Sequence, residues 1–535
     1  MWHKSPDRPV DHCTAAPKKF ESSNPPIPGL WLESNDPNDV EIAGTGRKLV
    51  ISHDQCTRCI YDDKTWTFVD QAAPSDPTPS SSRSSELELA IQAYQLPGDV
   101  YYPTLRQASE RFQIDADFWA AYLPNDDHSR DAGRGGVSVV PWVPTIRYLA
   151  SQDNKARLAL DSCALMALGR IRNNPQYVQE GLTLYSQALA ATNQALRHPV
   201  CVLNDSVLAC CRILALCEFF RPHVGTGLST QGTDWQRHIE GTVQLMELRG
   251  PEKHVDEHGF VLFADARASA AIAGITRRTK ALFSDPRWQE VPWSGRETRR
   301  SPSDELADIM AAVSEALEQQ DAALDRLTTD SGPISAAQCH AVLDLSERIM
   351  AMFRDWEVRM LGTQQQQPPS PQLDEVCMNL GYGSFHLVMQ YWATSLIMCS
   401  RYWVTLRRLP PAVIASREAI HVPDPQAYAD HIAKNAHHCF LPEAGLYGPQ
   451  KASFPLGAAL HYYAAANQHG SVGMQEIRRL FRESETASFT AGFLRSMAAD
   501  PAPVGIKADP EDEAKHAIMA AEWVGLKREL ESDQA

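Results

Sequence analysis

Hydrophobic and polar positions along this chain follow a helical period over most of its length. From Tyr177 to Leu196, the residues Leu182, Tyr185, Leu189 and Leu196 line one face, with Thr192 the one polar residue on the stripe. Asn204 or Asp205 then offers a side-chain oxygen to cap a following helix in which Leu208, Cys211, Leu214 or Ala215, and Glu218 share one side. Trp235, Ile239, Leu245 and Met246 mark another helix, stopped by Gly250-Pro251. Between Ser303 and Leu327, the residues Leu306, Met310, Val313, Leu317 and Leu324 are candidate core positions. No strand alternation recurs and no repeat holds a fixed period, so the pattern predicts an all-α fold, multi-helix and non-repeat.

One stretch, Ser384 to Leu406, is apolar almost all round and long enough to raise the question of a membrane span. His386, Gln390 and Arg401 within it favour a helix at the centre of a helical body, with no membrane.

Breaks in the pattern divide the chain. Residues 1–43 mix Pro, Asn, Ser and Asp and read as a disordered leader. An island at 44–71 holds a close cysteine pair, and 72–98 is a Pro/Ser-rich linker. A first helical half spans 99–362, a polar loop with TQQQQPPSPQ spans 363–372, a second helical half spans 373–528, and 529–535 is a tail.

Composition adds that 535 residues at 43% hydrophobic and 8% aromatic can build sizeable packed cores. Fifty Lys and Arg against 66 Asp and Glu give a net charge of −16, which excludes coating of nucleic acid by the chain as a whole. The opening MWHKSPDRPV lacks the apolar core of a signal peptide, so an intracellular protein is expected and the twelve cysteines are expected as thiols. Cys163, Cys210, Cys211, Cys217 and Cys399 lie in apolar helical contexts and read as small buried hydrophobes.

No enzyme signature is met. His254-Val-Asp-Glu-His258 places Val255 where a zinc protease needs its glutamate base. Gly133-Arg-Gly-Gly136 lacks the Lys-Ser/Thr ending that grips nucleotide phosphates, Gly44-Thr-Gly46-Arg47-Lys48 lacks the glycine spacing, and both read as turns. Consecutive residues of His437-His438-Cys439 point about 100° apart on a helix and cannot all face one ion. Cys56-Thr-Arg-Cys59 differs, because two thiolates separated by two residues can bite one zinc ion. Only Cys13 joins that pair before Cys163, fewer than the four thiolates of a closed site or the six that bridge two zincs.

Several passages resemble fungal transcription regulators of the six-cysteine binuclear zinc cluster type that carry a large helical regulatory domain. Asp115-Ala-Asp-Phe118-Trp-Ala-Ala-Tyr122-Leu-Pro124 is similar to the aromatic entry of that domain, and Pro141-Trp142-Val-Pro144 to the turn before its long helices. Trp235-x-x-His238-x-x-Gly241-x-x-x-Leu245-x-x-x-Arg249-Gly250-Pro251 follows a helix ending Leu214-Ala-Leu-Cys-Glu218-Phe-Phe220, as in the family. Leu441-Pro-Glu-Ala-Gly445-Leu-Tyr-Gly448-Pro449, with Phe454-Pro455-Leu456 and Ala458-Ala459, resembles its late signature. Trp235 and Leu245 read as core anchors, Gly241 as a point of close helix approach, and His238 either as a ligand-sensing residue or as a histidine hydrogen-bonded to a neighbouring element.

The resemblance implies a nuclear regulator of RNA polymerase II transcription, controlling a metabolic or secondary-metabolite gene set, and not an enzyme. It implies zinc as cofactor with Cys56 and Cys59 as ligands, and Arg47, Lys48 and Arg58 as DNA contacts. Promoter DNA is the expected partner, directly or through a homo- or heterodimer. The cluster departs from the family's pattern. Trp66 stands about where a sixth cysteine belongs, and residues 1–70 carry eight Lys and Arg against eleven Asp and Glu, the wrong sign for gripping phosphate. The expected state is therefore a truncated or degenerate cluster. The alternative is a regulatory interaction protein without DNA binding of its own that heterodimerises with an intact relative.

Overall fold

A computed structural model describes residues 39–41, 47–51, 66–70, 105–124, 141–222, 230–296, 300–328, 335–361, 381–417 and 422–498. The chain divides into two compact units, Met1–Tyr101 and Tyr102–Ala535.

In the first unit, β1 (Asp39–Glu41), β2 (Arg47–Ile51) and β3 (Trp66–Asp70) form an antiparallel sheet in the order β1-β2-β3. Arg47 stands opposite Asp70, and Ile51 opposite Trp66. The runs RKLVI and WTFVD are rich in β-branched and aromatic residues, which favour strands, and both lie within the stretch 44–71.

The second unit is all-α among its described residues, built from sixteen α-helices joined by short 3₁₀ turns. Those of its first part are α1 (Leu105–Tyr122), α2 (Val143–Gln152), α3 (Asn154–Ile171), α4 (Pro175–Leu196), α5 (Asp205–Phe220), α6 (Gln231–Arg249), α7 (Glu257–Arg277), α8 (Pro286–Glu290), α9 (Pro302–Thr328) and α10 (Ala336–Leu361). There follow α11 (Tyr382–Arg408), α12 (Pro411–Ala415), α13 (Pro425–Asn435), α14 (Tyr447–Ala465), α15 (Val472–Glu483) and α16 (Ala487–Ala498).

Local chemistry sets these bounds. Asp153, Asn174, Asp256, Asp424 and Ser471 accept backbone N–H groups at the starts of α3, α4, α7, α13 and α15. Asn204 precedes α5 but makes no side-chain cap bond, and Asp205 in the first turn pairs instead with Arg249. Gly250, at φ 73°, ends α6 as its sequence predicts.

Two layers of packing share α7. Helix α5 is buried on every side and lies against α3, α6 and α7, with α1 and α4 on α3. Helix α11 is its counterpart, packed against α9, α10, α13 and α14. All five candidate core positions on α9 are buried, from Leu306 to Leu324. The expected divide at 363–372 lies outside the described residues, and helices on both sides of it share one apolar core that includes Leu317, Trp356, Trp392 and Leu456. Helix α16 closes the body: Phe489 stacks on Phe219, and Ser496 Oγ accepts the Gly232 N–H at 2.8 Å.

Helix α7 is the one helix among the described residues that length and composition would allow to cross a membrane. It packs on α9 and carries Arg267, paired with Asp304 and Asp308. Helix α11, the stretch the sequence singles out, holds His386 and Gln390 buried inside the body and pairs Arg401 with Asp321.

Candidate functional site

Among the residues expected at the zinc and DNA site, Arg47 and Lys48 lie on β2, while Cys56, Arg58 and Cys59 lie outside the described residues. Among the described residues no group of three or more His, Cys, Asp or Glu is placed to hold a metal ion. His254 and His258 fall on different elements, a 3₁₀ turn and α7. His254 Nδ1 lies 3.1 Å from the Gly259 carbonyl, and His258 stacks on Tyr148. Cys163, Cys210, Cys211, Cys217 and Cys399 are buried free thiols, and burial pushes Cys211 and Cys399 up to about 12.

Three of the passages that carry the family resemblance, those around Tyr122, Trp142 and Tyr447, meet at one junction. Helix α1 ends in Phe118, Trp119 and Tyr122, all buried, with the Trp119 indole donating to Asp115 at 2.8 Å. Trp142 packs edge-on to both Trp119 and Tyr122. From the late signature, Tyr447 packs edge-on to Tyr122 with ring centroids 6.0 Å apart, and the Tyr122 hydroxyl donates to Gln450 Oε1 at 2.6 Å. Gly445 is required here twice over. Its φ of 58° is left-handed, and a Cβ would stand 2.7 Å from the Tyr122 carbonyl oxygen and 2.8 Å from that of Leu123. Gly448 serves similarly, since a Cβ would land on the Cys439 carbonyl.

Charged groups enter this junction from three helices. Arg212, in the middle of the apolar α5, pairs with Asp265 of α7, and its guanidinium carbon lies 4.6 Å from the Trp142 ring centroid. Burial opposes the Arg212 charge, and the Asp265 carboxylate more than offsets that opposition. Lys451, in the first turn of α14, sets its ammonium 5.4 Å from the Tyr447 ring centroid, and burial lowers its pKa. His386 of α11 packs edge-on to the same Tyr447 ring, with centroids 5.1 Å apart, and its Nδ1 is 4.0 Å from Cys439 Sγ. Burial, and then the nearby Lys451 charge, bring the His386 imidazole down to about 3, so it is neutral at physiological pH.

A second polar network joins α4, α5 and α6. Glu218 is fully buried; it accepts from the Tyr185 hydroxyl and from Arg221 Nε at 2.7 Å, and His238 Nε2 lies 3.0 Å from Tyr185 and 3.5 Å from Glu218. Arg221 continues to Asp234 at 2.7 Å. His238 is thus a histidine hydrogen-bonded to a neighbouring element. Burial alone would raise the Glu218 pKa, but the His238 hydrogen bond and the Arg221 charge hold it below the usual value.

Two expectations on α6 are corrected. Trp235 is only half-buried, resting edge-on against Phe493 at the rim, and a Cβ on Gly241 would meet nothing within 4 Å. Leu245 is buried as expected. Sequence reasoning missed Arg212, Asp265 and Lys451. A usable signal existed for Arg212, because a lone charge inside LACCRILALC has to find a buried partner.

No family model matches the chain, and no solved structure does. Over 153 residues, 28% of its length, the chain is 26% identical to the uncharacterized protein AN5342 of Emericella nidulans, and that match spans about a third (31%) of the relative's own length.

Proposed function

We propose that the chain is a nuclear transcription regulator of the fungal zinc-cluster type and not an enzyme, its helical body acting as the regulatory domain for a metabolic or secondary-metabolite gene set. What supports this reading is that passages resembling that domain, 328 residues apart at Tyr122 and Gln450, pack on one another as parts of one scaffold. Promoter DNA is reached either through a zinc site that uses Cys56 and Cys59 or through a partner. The zinc-to-protein ratio of the purified chain, with promoter binding followed against salt, tests it. A ratio near two, with a log-log salt slope of about −0.9 per phosphate neutralised, is expected for direct DNA contact.

A second reading is favoured by the acidic N-terminal stretch and by the presence of only Cys13, Cys56 and Cys59 before Cys163. In it, the chain is a regulatory interaction protein that heterodimerises with an intact relative. Absence of zinc and of salt-dependent DNA binding by the chain alone, with promoter association restored by the relative, selects this reading.

A further inference from the structure

Ser301-Pro302 is the one Ser-Pro or Thr-Pro pair among the described residues, and Ser301 is exposed, standing just before α9. Pro302 takes the first helical position, where no N–H is needed. Ser301 closes the first turn of α9 through Asp304. Its N–H and its hydroxyl both donate to Asp304 Oδ2, at 3.0 and 2.5 Å, and its Oγ accepts the Asp304 N–H at 3.2 Å. The same carboxylate has a second partner. Its Oδ1 accepts from Arg267 of α7 at 3.1 Å, and the buried Arg267 guanidinium also donates to the Asp304 carbonyl at 3.0 Å and pairs with Asp308. An exposed hydroxyl is thus one carboxylate away from the buried cation that ties α7 to α9.

We propose that Ser301 is a phosphorylation site of a proline-directed protein kinase, and that phosphate on it opens the Ser301–Asp304 cap and loosens α9 from α7. An exposed serine followed by proline is the pair that such a kinase reads, and the end of a helix opens at little cost. The phosphoryl group comes from ATP. Ser301 Oγ attacks the γ-phosphorus, the Oγ–P bond forms as the bond to the β-phosphate oxygen breaks, ADP leaves, and the hydroxyl proton passes to a base of the kinase. The product carries about −1.5 to −2 charge near neutral pH and has no hydroxyl proton to donate, so the 2.5 Å bond to Asp304 gives way to repulsion between two anions. Backbone N–H groups at a helix start favour phosphate, but Asp304 and Glu305 already place two negative charges in this first turn. Among the described residues, the neighbouring cations are engaged as well: Arg300 by Asp308 and the Gln289 carbonyl, and Arg267 by Asp304 and Asp308. Repulsion therefore wins, and Asp304 loses its fixed position beside Arg267. This inference does not depend on the transcriptional reading.

The full purified chain, incubated with ATP, Mg²⁺ and a proline-directed Ser/Thr kinase, tests it by mass-spectrometric site mapping followed by thermal melting, beside a mock reaction without ATP. The sequence holds three further pairs, Ser5-Pro6, Thr78-Pro79 and Ser370-Pro371, so Ser301→Ala treated in the same way is the reference. Phosphate is expected on Ser301 of the folded wild type, and the phosphorylated chain is expected to melt about 2 °C or more below its mock, a drop that Ser301→Ala does not show. The inference is overturned if Ser301 stays unmodified, if the modified wild type melts with or above its mock, or if Ser301→Ala falls by as much as the wild type.

Discussion

Tyr122 and Gln450 are joined by a hydrogen bond of 2.6 Å, the phenol donating to the amide oxygen across 328 residues of chain. The bond fixes the end of α1 against the first turn of α14, and the left-handed Gly445 lets the two backbones approach closely enough for it to form.

Gly445→Ala is therefore expected to cost more than 2 kcal/mol, combining strain at positive φ with a clash against three carbonyl oxygens. Gly241→Ala is its control. Open space and a helical backbone there predict a neutral effect or a gain of up to about 1 kcal/mol. Urea denaturation of the two variants beside the wild type reads both signs, and equal losses would refute the close approach at Gly445.

Trp235→Ala should cost about 1–3 kcal/mol, since the ring is only partly buried where it rests edge-on against Phe493. Trp356→Ala, at a fully buried ring stacked on Tyr391, should cost about 3–5 kcal/mol. Reversal of that order in thermal melts would place the core elsewhere.

Glu218→Gln should destabilise by about 1–3 kcal/mol, because Arg221 loses one of its two counter-charges and keeps Asp234. The acid limb carries a further signature. The folded state lowers the Glu218 pKa, so its stabilisation is complete above the ordinary carboxylate value and is lost as pH falls toward the folded one. Denaturation midpoints of Glu218→Gln should fall less steeply below about pH 4.5 than those of the wild type.

His254 and His386 predict a separate decline at milder acidity. Burial is the larger cause at both, bringing His254 down to about 4 and His386 down to about 3. The unfolded chain takes up protons first, so stability rests on the neutral imidazoles above about pH 6.5 and falls as pH drops from there toward 4. His254 alone should contribute on the order of 2–3 kcal/mol over that window. A His254→Gln variant whose midpoint tracks the wild type between pH 6.5 and 4 would contradict its burial as a neutral group.

The fold was legible where the sequence is periodic. Leu306 to Leu324 reads directly as the buried face of α9, and Gly250-Pro251 as the end of α6. Faces were harder to orient where neighbouring helices lie close. On α4 the buried stripe is Gly181, Tyr185, Ala188, Thr192 and Ala195, while Leu182 and Leu189 are only half-buried, because closely packed helices meet on small residues. The candidate site was hidden for a different reason. Arg212, Asp265 and Lys451 belong to three helices, and nothing in the local pattern around any one of them encodes where the other two will be. The two expected zinc ligands were legible as a spacing alone, and spacing supplies no third or fourth thiolate.

The closure of α16 on α5 and α6 bears on how the chain is made. Phe219 and Gly232 leave the ribosome more than 250 residues before their partners Phe489 and Ser496, a wait of tens of seconds at about 5–20 residues per second. During that interval the apolar faces of two already translated helices stand uncovered. A premature stop before Ala487 would leave those faces without α16 and would yield a chain prone to aggregate rather than a shorter working body.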